Sequence, residues 1–234
     1  MTLLTERFVY TPIDRKSVEG KRLYALPDGT KVPSVTTILE KTKSQDKIDA
    51  LNNWKKRVGE AKAQEIVTEA AGRGTRMHKF LEDYVKSGVI NEPGTNPYSI
   101  ESHKMAKVVI AQGLSNVNEV WGVEVPLYYP GLYAGTTDGC GLHLNEQSIL
   151  DYKQSNKPKK EEWIEDYYLQ LTAYALAHNK IHGTNIRKGV VLMCVKPKSE
   201  GEAPVYQEFI LKPEDFAHWE QQWWNRVERY YQYN

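Results

Sequence analysis

The chain is organised around the stretch from Gly135 to Lys153. Three apolar runs frame it. Val120 to Tyr129 is strand-like, Tyr129-Pro130-Gly131 turns, Leu132 to Thr137 forms a second strand and Ser148 to Lys153 a third. Gly139, Gly141 and Asn145 read as the link of a hairpin or meander between the last two. A lone acid, Asp138, follows the second run, and Asp151-Tyr152-Lys153 closes the third. Period-two alternation puts Asp151 and Lys153 on one face of a strand and Tyr152 on the other. Two carboxylates from adjacent strands, with a lysine two residues on, can hold a divalent cation and a water beside it. Such an arrangement suits phosphodiester cleavage.

The rest of the chain supplies helices and further strands. Phe8-Val9-Tyr10 and Leu23 to Leu26 are short patches separated by Pro12, Gly20 and the turn Pro27-Asp28-Gly29, and the second returns as a hairpin through Lys31-Val32. Ser34 or Thr36 is placed to cap a helix opened by Thr37 to Leu39. From Lys47 to Ala70, Leu51, Trp54, Val58, Ala61 and Ile66 recur at helical steps; Ala71-Gly72-Arg73-Gly74 interrupts, and Thr75 to Val85 resumes. Residues 87–100 read as an exposed loop and 101–114 as a helix. Lys157-Pro158-Lys159-Lys160 is a basic loop, 164–177 a helix, and 188–196 and 205–211 strands. Pro213 opens a last helix, to residue 231, with Phe216, Trp219, Trp223, Val227 and Tyr230 in one stripe. The expected fold is an α/β sandwich in one domain, 1–234, with a helical lobe at 47–114 and a sheet-bearing core at 120–211.

Composition narrows the setting. Lys and Arg total 31 against 30 Asp and Glu, so the net charge of +1 argues neither for nor against nucleic acid. A nucleic-acid enzyme with this balance needs its basic residues gathered around the site. Cys140 and Cys194 form no CxxC pair and no zinc or iron–sulphur set, which fits a reducing compartment. MTLLTERFVY lacks the features of a signal peptide, and no apolar run approaches a membrane span. The expectation is a soluble intracellular protein without a membrane partner.

Each candidate residue also has a plainer reading. Asp138 alone suits a turn, Asp151 an edge strand and Lys153 solvent. Together, Asp138 and Asp151 offer hard oxygen ligands to Mg²⁺ or Mn²⁺, while Lys153 orients a water and neutralises charge, or acts as a base if its pKa is depressed. His78 is either a half-buried helix histidine or a ligand suited to Mn²⁺. Glu124, flanked by valines, faces solvent or the site. Gln170 and Tyr174, one turn apart, are core edge or a polar support for Lys153 or a phosphate. The charges between Lys55 and Lys62 are a solvated helix face or a basic rim, and Trp54 belongs to the apolar stripe or stacks a base.

The ordered series His78 in GTRMHKFLE, Asp138 in GTTDG, Asp151 and Lys153 in DYK, and Gln170 to Tyr174 in QLTAY resembles the RecB-like branch of the PD-(D/E)xK nucleases. VPSVTTIL and the compact length are similar to the mitochondrial genome maintenance exonuclease subgroup and its phage and bacterial relatives. The resemblance, from residue 32 to 174, implies a restriction-endonuclease-like α/β fold, a mixed β-sheet flanked by helices. It implies a cation held by His78, Asp138, Asp151 and the Tyr152 backbone carbonyl, with Glu124 reaching the site through water. Lys153 would be the catalytic lysine, supported by Gln170 and Tyr174. Ser34 and Thr36 would lie near the DNA backbone, and Lys55, Lys56, Arg73 and Arg76 are candidate phosphate contacts.

The residues and the resemblance together imply a metal-dependent deoxyribonuclease, an exonuclease that hydrolyses single-stranded DNA from an end and leaves a 5′-phosphate and a 3′-hydroxyl. An endonuclease of the same fold and a catalytically silent DNA-binding or recombination protein are the alternatives. Two distant cysteines exclude the iron–sulphur cluster that some relatives hold. No nucleotide-binding GxxxxGK[ST] motif occurs, so a helicase or recombinase would be a separate chain. The start of the sequence fits a phage or bacterial cytoplasmic enzyme better than one with a mitochondrial presequence.

Overall fold

The computed structural model describes residues 3–18, 21–199 and 201–233; the expected break at Gly20 lies outside them. Among the described residues, strands β4 (Val117–Tyr129), β5 (Tyr133–His143), β6 (Glu146–Ser155), β7 (Lys188–Val195) and β8 (Val205–Leu211) form one sheet in that order. All neighbours are antiparallel except β6 and β7, which run parallel because α5 (Glu165–His182) carries the chain between them. β7 is buried along its whole length. Val191 and Met193 join one core, while Val190, Leu192 and Cys194 join another on the opposite face.

Helices cover both faces. α5, α1 (Val35–Lys41) and α6 (Phe216–Tyr233) pack over the first core. α3 (Glu60–Ser87) and α4 (Pro97–Gln112) pack over the second. The stripe on α6 turns Phe216, Trp223, Val227 and Tyr230 inward, each such side chain stabilising by about 1.5–3 kcal/mol. A small antiparallel sheet of β1 (Asp14–Val18), β2 (Lys21–Ala25) and β3 (Lys31–Pro33) precedes α1 and packs on β5 through Val32 and Ala134. Thr5 and Leu3 exchange backbone hydrogen bonds with Val120, covering part of the β4 edge. No helix among the described residues is long and apolar enough to cross a membrane.

The mixed sheet between helices is the α/β fold that the resemblance implied, with local corrections. Gly72 and Gly74 do not interrupt the second helical stretch, and α3 runs through them. The break falls instead at Gly59, whose φ of 85° ends α2 (Gln45–Val58) and starts α3. Gly139 and Gly141 lie inside β5 rather than in a turn, and the hairpin closes at Leu144 and Asn145, both with positive φ. Gly141 is required by proximity: a Cβ there would sit 2.0 Å from the carbonyl oxygen of Glu119, where β4 bulges. α4 starts at Pro97, capped by Asn96, rather than at Glu101. Pro213 lies in the turn before α6 instead of opening it.

Candidate active site

Four elements converge where β4, β5 and β6 run beneath α3. β5 carries Asp138. Glu124 of β4 stands opposite it, between the pairs Val123–Gly139 and Val125–Thr137. The glutamate has a φ of 52°, a strained conformation outside glycine, and follows the bulged part of its strand. α3 brings His78 over the pair, with Nδ1 3.2 Å from Asp138 Oδ1. One ligand atom each from His78, Glu124 and Asp138 lie within 4.8 Å of one another. Two carboxylate oxygens and an imidazole nitrogen at this spacing fit a small divalent cation such as Mg²⁺ or Mn²⁺.

β6 supplies the other half. The backbone N–H of Tyr152 donates to Asp138 Oδ2 at 2.6 Å and fixes that carboxylate. Asp151 is buried, and Lys153 Nζ lies 2.7 Å from its Oδ1 and 2.6 Å from its Oδ2. Asp151 thus stands beside the three-residue group rather than in it. The Tyr152 ring turns to the opposite core and meets His78 edge-on at 5.8 Å.

The charges are mutually dependent. Burial works against the charged form of His78, but the neighbouring Asp138 outweighs it and holds the imidazole pKa up. For Asp138, burial is outweighed by His78, Lys153 and the Tyr152 N–H, so its carboxyl is held down. Burial pushes Glu124 up, helped by Asp138. Burial likewise raises Asp151, with Lys153 opposing. Lys153 resists burial through Asp151 and Asp138, which keep it above the ordinary lysine value and cationic at neutral pH.

The remaining candidates separate. Tyr174 is buried, and burial drives its hydroxyl well above the usual range with Gln170 hydrogen-bonded to it. Lys153 is instead flanked by Tyr167, its Nζ 5.2 Å from the ring centroid. Sequence reasoning missed Tyr167. It precedes Gln170 by three residues and Tyr174 by seven on one helix face, a spacing that could have marked it. Ser34 is buried and caps α1 by accepting from the Thr37 N–H; Thr36 beside it is exposed. Lys55 and Lys56 are exposed on α2. Arg76 is half-buried over the Tyr98 ring.

Arg73 is only 2% exposed. It donates to Gln154 Oε1 and pairs with Glu69, both at 2.9 Å, and it also donates to Asn156. That position corrects its expected role as a phosphate contact: it ties α3 to the end of β6.

A model of the PD-(D/E)XK nuclease superfamily matches residues 143–234, which include Asp151 and Lys153. The chain is 26% identical over 218 residues to mitochondrial genome maintenance exonuclease 1 of Xenopus tropicalis, covering 88% of this chain and 58% of that protein. The mouse protein of the same name is 26% identical over 211 residues, covering 85% and 59%. The human protein is 25% identical over 213 residues, covering 85% and 58%. The chain therefore spans less than two thirds of the curated relatives it matches. A solved structure from Eubacterium rectale aligns over 69% of this chain and 64% of its own at 10% identity, with a TM-score of 0.47, a likeness too slight to argue from. Over residues 143–234 the chain is similar to the PD-(D/E)XK nuclease superfamily, and its mixed sheet between helices is the fold that this similarity implies.

Proposed function

We propose that this chain is a divalent-metal-dependent deoxyribonuclease that shortens single-stranded DNA from an end. The observation that carries the reading is the His78–Glu124–Asp138 group set against the Asp151–Lys153 pair. His78, Glu124 and Asp138 would hold the cation, with Asp151 and the Tyr152 carbonyl adjoining. When bound, the ion supplies charge neutralisation at the scissile phosphate and acidifies a neighbouring water. Lys153 orients the attacking water and offsets charge building on the phosphate. Its raised pKa favours that part over general base. Asp151 and the Tyr167 ring hold the ammonium in place, and Tyr152 N–H holds Asp138. The curated relatives are named exonucleases, which supports action from an end.

The test is cleavage of end-labelled linear and circular single-stranded DNA with Mg²⁺, Mn²⁺ or EDTA, wild type beside Lys153→Ala. Shortening of the linear strand alone, abolished by EDTA and by the substitution, is the expected result. Cutting of the circle would replace the exonuclease with an endonuclease. Binding with no metal-dependent product would leave a silent DNA-binding protein.

A further inference from the structure

Glu124 reaches the cation site from a strand that changes faces around it. In a regular strand Trp121, Val123 and Val125 would share one face. Here Trp121 and Val125 join the core under α5, while Val123 packs against the core under α3. The register of β4 with β5 slips between Val120 and Gly122, and Glu124 itself has a φ of 52°. Such a backbone persists only where its neighbours hold it.

The neighbour on the α5 side is Tyr10. Its ring packs so near Gly122 that a Cβ there would lie 2.6 Å from the ring carbon Cε2. Gly122 pairs across the sheet with Cys140, and the Tyr10 hydroxyl lies 3.0 Å from Cys140 Sγ and 3.1 Å from His178 Nε2. The sense of these bonds is set from α5. Thr184 Oγ1 donates to Asn179 Oδ1, so His178 Nδ1–H donates to Thr184 and Nε2 accepts from Tyr10. Burial holds the His178 pKa down to about 3, which keeps the ring neutral and Nε2 an acceptor. The Cys140 thiol is left to donate to the Tyr10 oxygen. One side chain thus grips two strands, at Gly122 two residues before Glu124 and at Cys140 two residues after Asp138.

The segment that carries Tyr10 is fastened along its length. Leu3 and Thr5 bond to the Val120 backbone, and Arg7 lies over the Trp121 ring at 5.4 Å. Phe8 meets Trp121 edge-on at 5.3 Å and His178 at 5.0 Å.

We propose that Tyr10 is a positioning residue for the cation site: from the opposite face of the sheet it clamps the Gly122–Cys140 pair and so holds the irregular part of β4 that sets Glu124 across from Asp138. The proposal rests on reading His78, Glu124 and Asp138 as the cation ligands.

Mn²⁺ titration followed by electron paramagnetic resonance, without DNA, tests it. Tyr10→Ala is expected to weaken Mn²⁺ binding about tenfold, the low end of the roughly 10- to 100-fold cost of losing a group that orients a ligand. Tyr10→Phe keeps the ring on Gly122 and should stay within a few fold of wild type. Gly122→Ala, which leaves Tyr10 in place but drives its ring off, should repeat the loss and serves if Tyr10→Ala does not fold. Val227→Ala removes a buried side chain from α6; it should lower the melting temperature and leave the affinity unchanged. In a Glu124→Gln background, whose neutral amide holds a hard cation weakly, Tyr10→Ala should add little further loss.

Wild-type affinity in both Tyr10→Ala and Gly122→Ala would overturn the proposal. So would an equal loss in Val227→Ala, which would mean general loosening, or an undiminished loss in the Glu124→Gln background, which would mean Tyr10 does not act through Glu124. Cleavage decides the function separately. If Tyr10→Ala loses Mn²⁺ affinity as expected and the wild type forms no metal-dependent product, the positioning role stands and the nuclease reading falls. If the wild type cleaves and both variants bind Mn²⁺ undiminished, the reverse holds.

Discussion

Lys153, half-buried, and Asp151, buried, form a pair in which each group favours the charged form of the other. Taking away the ammonium leaves a carboxylate that is only 3% exposed beside Asp138, so Lys153→Met should protonate Asp151 as well as remove the cation facing the phosphate. Cleavage is expected to drop by at least about 10²–10³-fold, the scale of losing one electrostatic group in the transition state. Single-turnover rates at saturating DNA, beside unchanged DNA affinity in EDTA, check it. A loss confined to affinity would remove Lys153 from the chemistry. His78 and Glu124 make a second prediction at this scale. Both hold protons more tightly than the free side chains, His78 because of Asp138 and Glu124 because of burial. A cation must displace those protons, so affinity should rise with pH, by up to about tenfold per pH unit for each proton released, and flatten once both groups are deprotonated. Asp138, held down, releases none near neutrality. Calorimetric titration of Mn²⁺ in buffers of different ionisation enthalpy counts the protons; affinity independent of pH would put the ion on other ligands.

Among the elements, α3 bears most of the burden, because it carries both His78 and the Arg73 that anchors the end of β6. Arg73→Ala removes three hydrogen bonds from a charged donor; the two to Gln154 and Asn156 alone, each worth about 1.5–3 kcal/mol, set an expected loss of at least about 3 kcal/mol in urea unfolding. Arg73→Lys should not restore it, since an ammonium cannot reproduce the planar fork that reaches Glu69, Gln154 and Asn156 together. A change below about 1 kcal/mol would mean the network is solvated. This helix also shows where sequence reading stops. The strands were legible because β4 to β8 are apolar runs of the right length, and His78, Asp138, Asp151 and Lys153 were legible from residue type and order. Gly72 and Gly74 misled because helix propensity is a weak bias that packing on the sheet overrides. Gly139 and Gly141 looked like a turn because nothing local announces the bulge in β4 that presses on the second of them. A buried arginine and a solvated one look the same in sequence, so Arg73 could be placed only by its partners. Tyr167 went unread although its helical spacing to Gln170 and Tyr174 could have marked it.

For the whole molecule, the site is a junction as well as a centre of charge. Glu124, Asp138 and Asp151 come from three neighbouring strands, and His78 reaches them from a helix packed across the sheet. Without an ion, the raised pKa values of Glu124 and Asp151 record the cost of desolvating each acid close to the Asp138 carboxylate. A cation bound only by the folded arrangement offsets that cost and links α3 to β4 and β5, so the chain as a whole should gain stability. At a hundredfold excess over the dissociation constant the gain is about 2.7 kcal/mol. At about 2–4 °C per kcal/mol for a chain of this size, the melting temperature should rise by roughly 5–11 °C with Mn²⁺ and return on chelation. Asp138→Asn provides the control: the amide oxygen can still accept from Tyr152 N–H, so the fold is kept while the anionic ligand is lost. Its melt should respond little to Mn²⁺. An equal rise in both proteins would place the stabilising ion outside the His78–Glu124–Asp138 group, whereas a rise confined to the wild type ties the junction of these elements to the chemistry proposed for it.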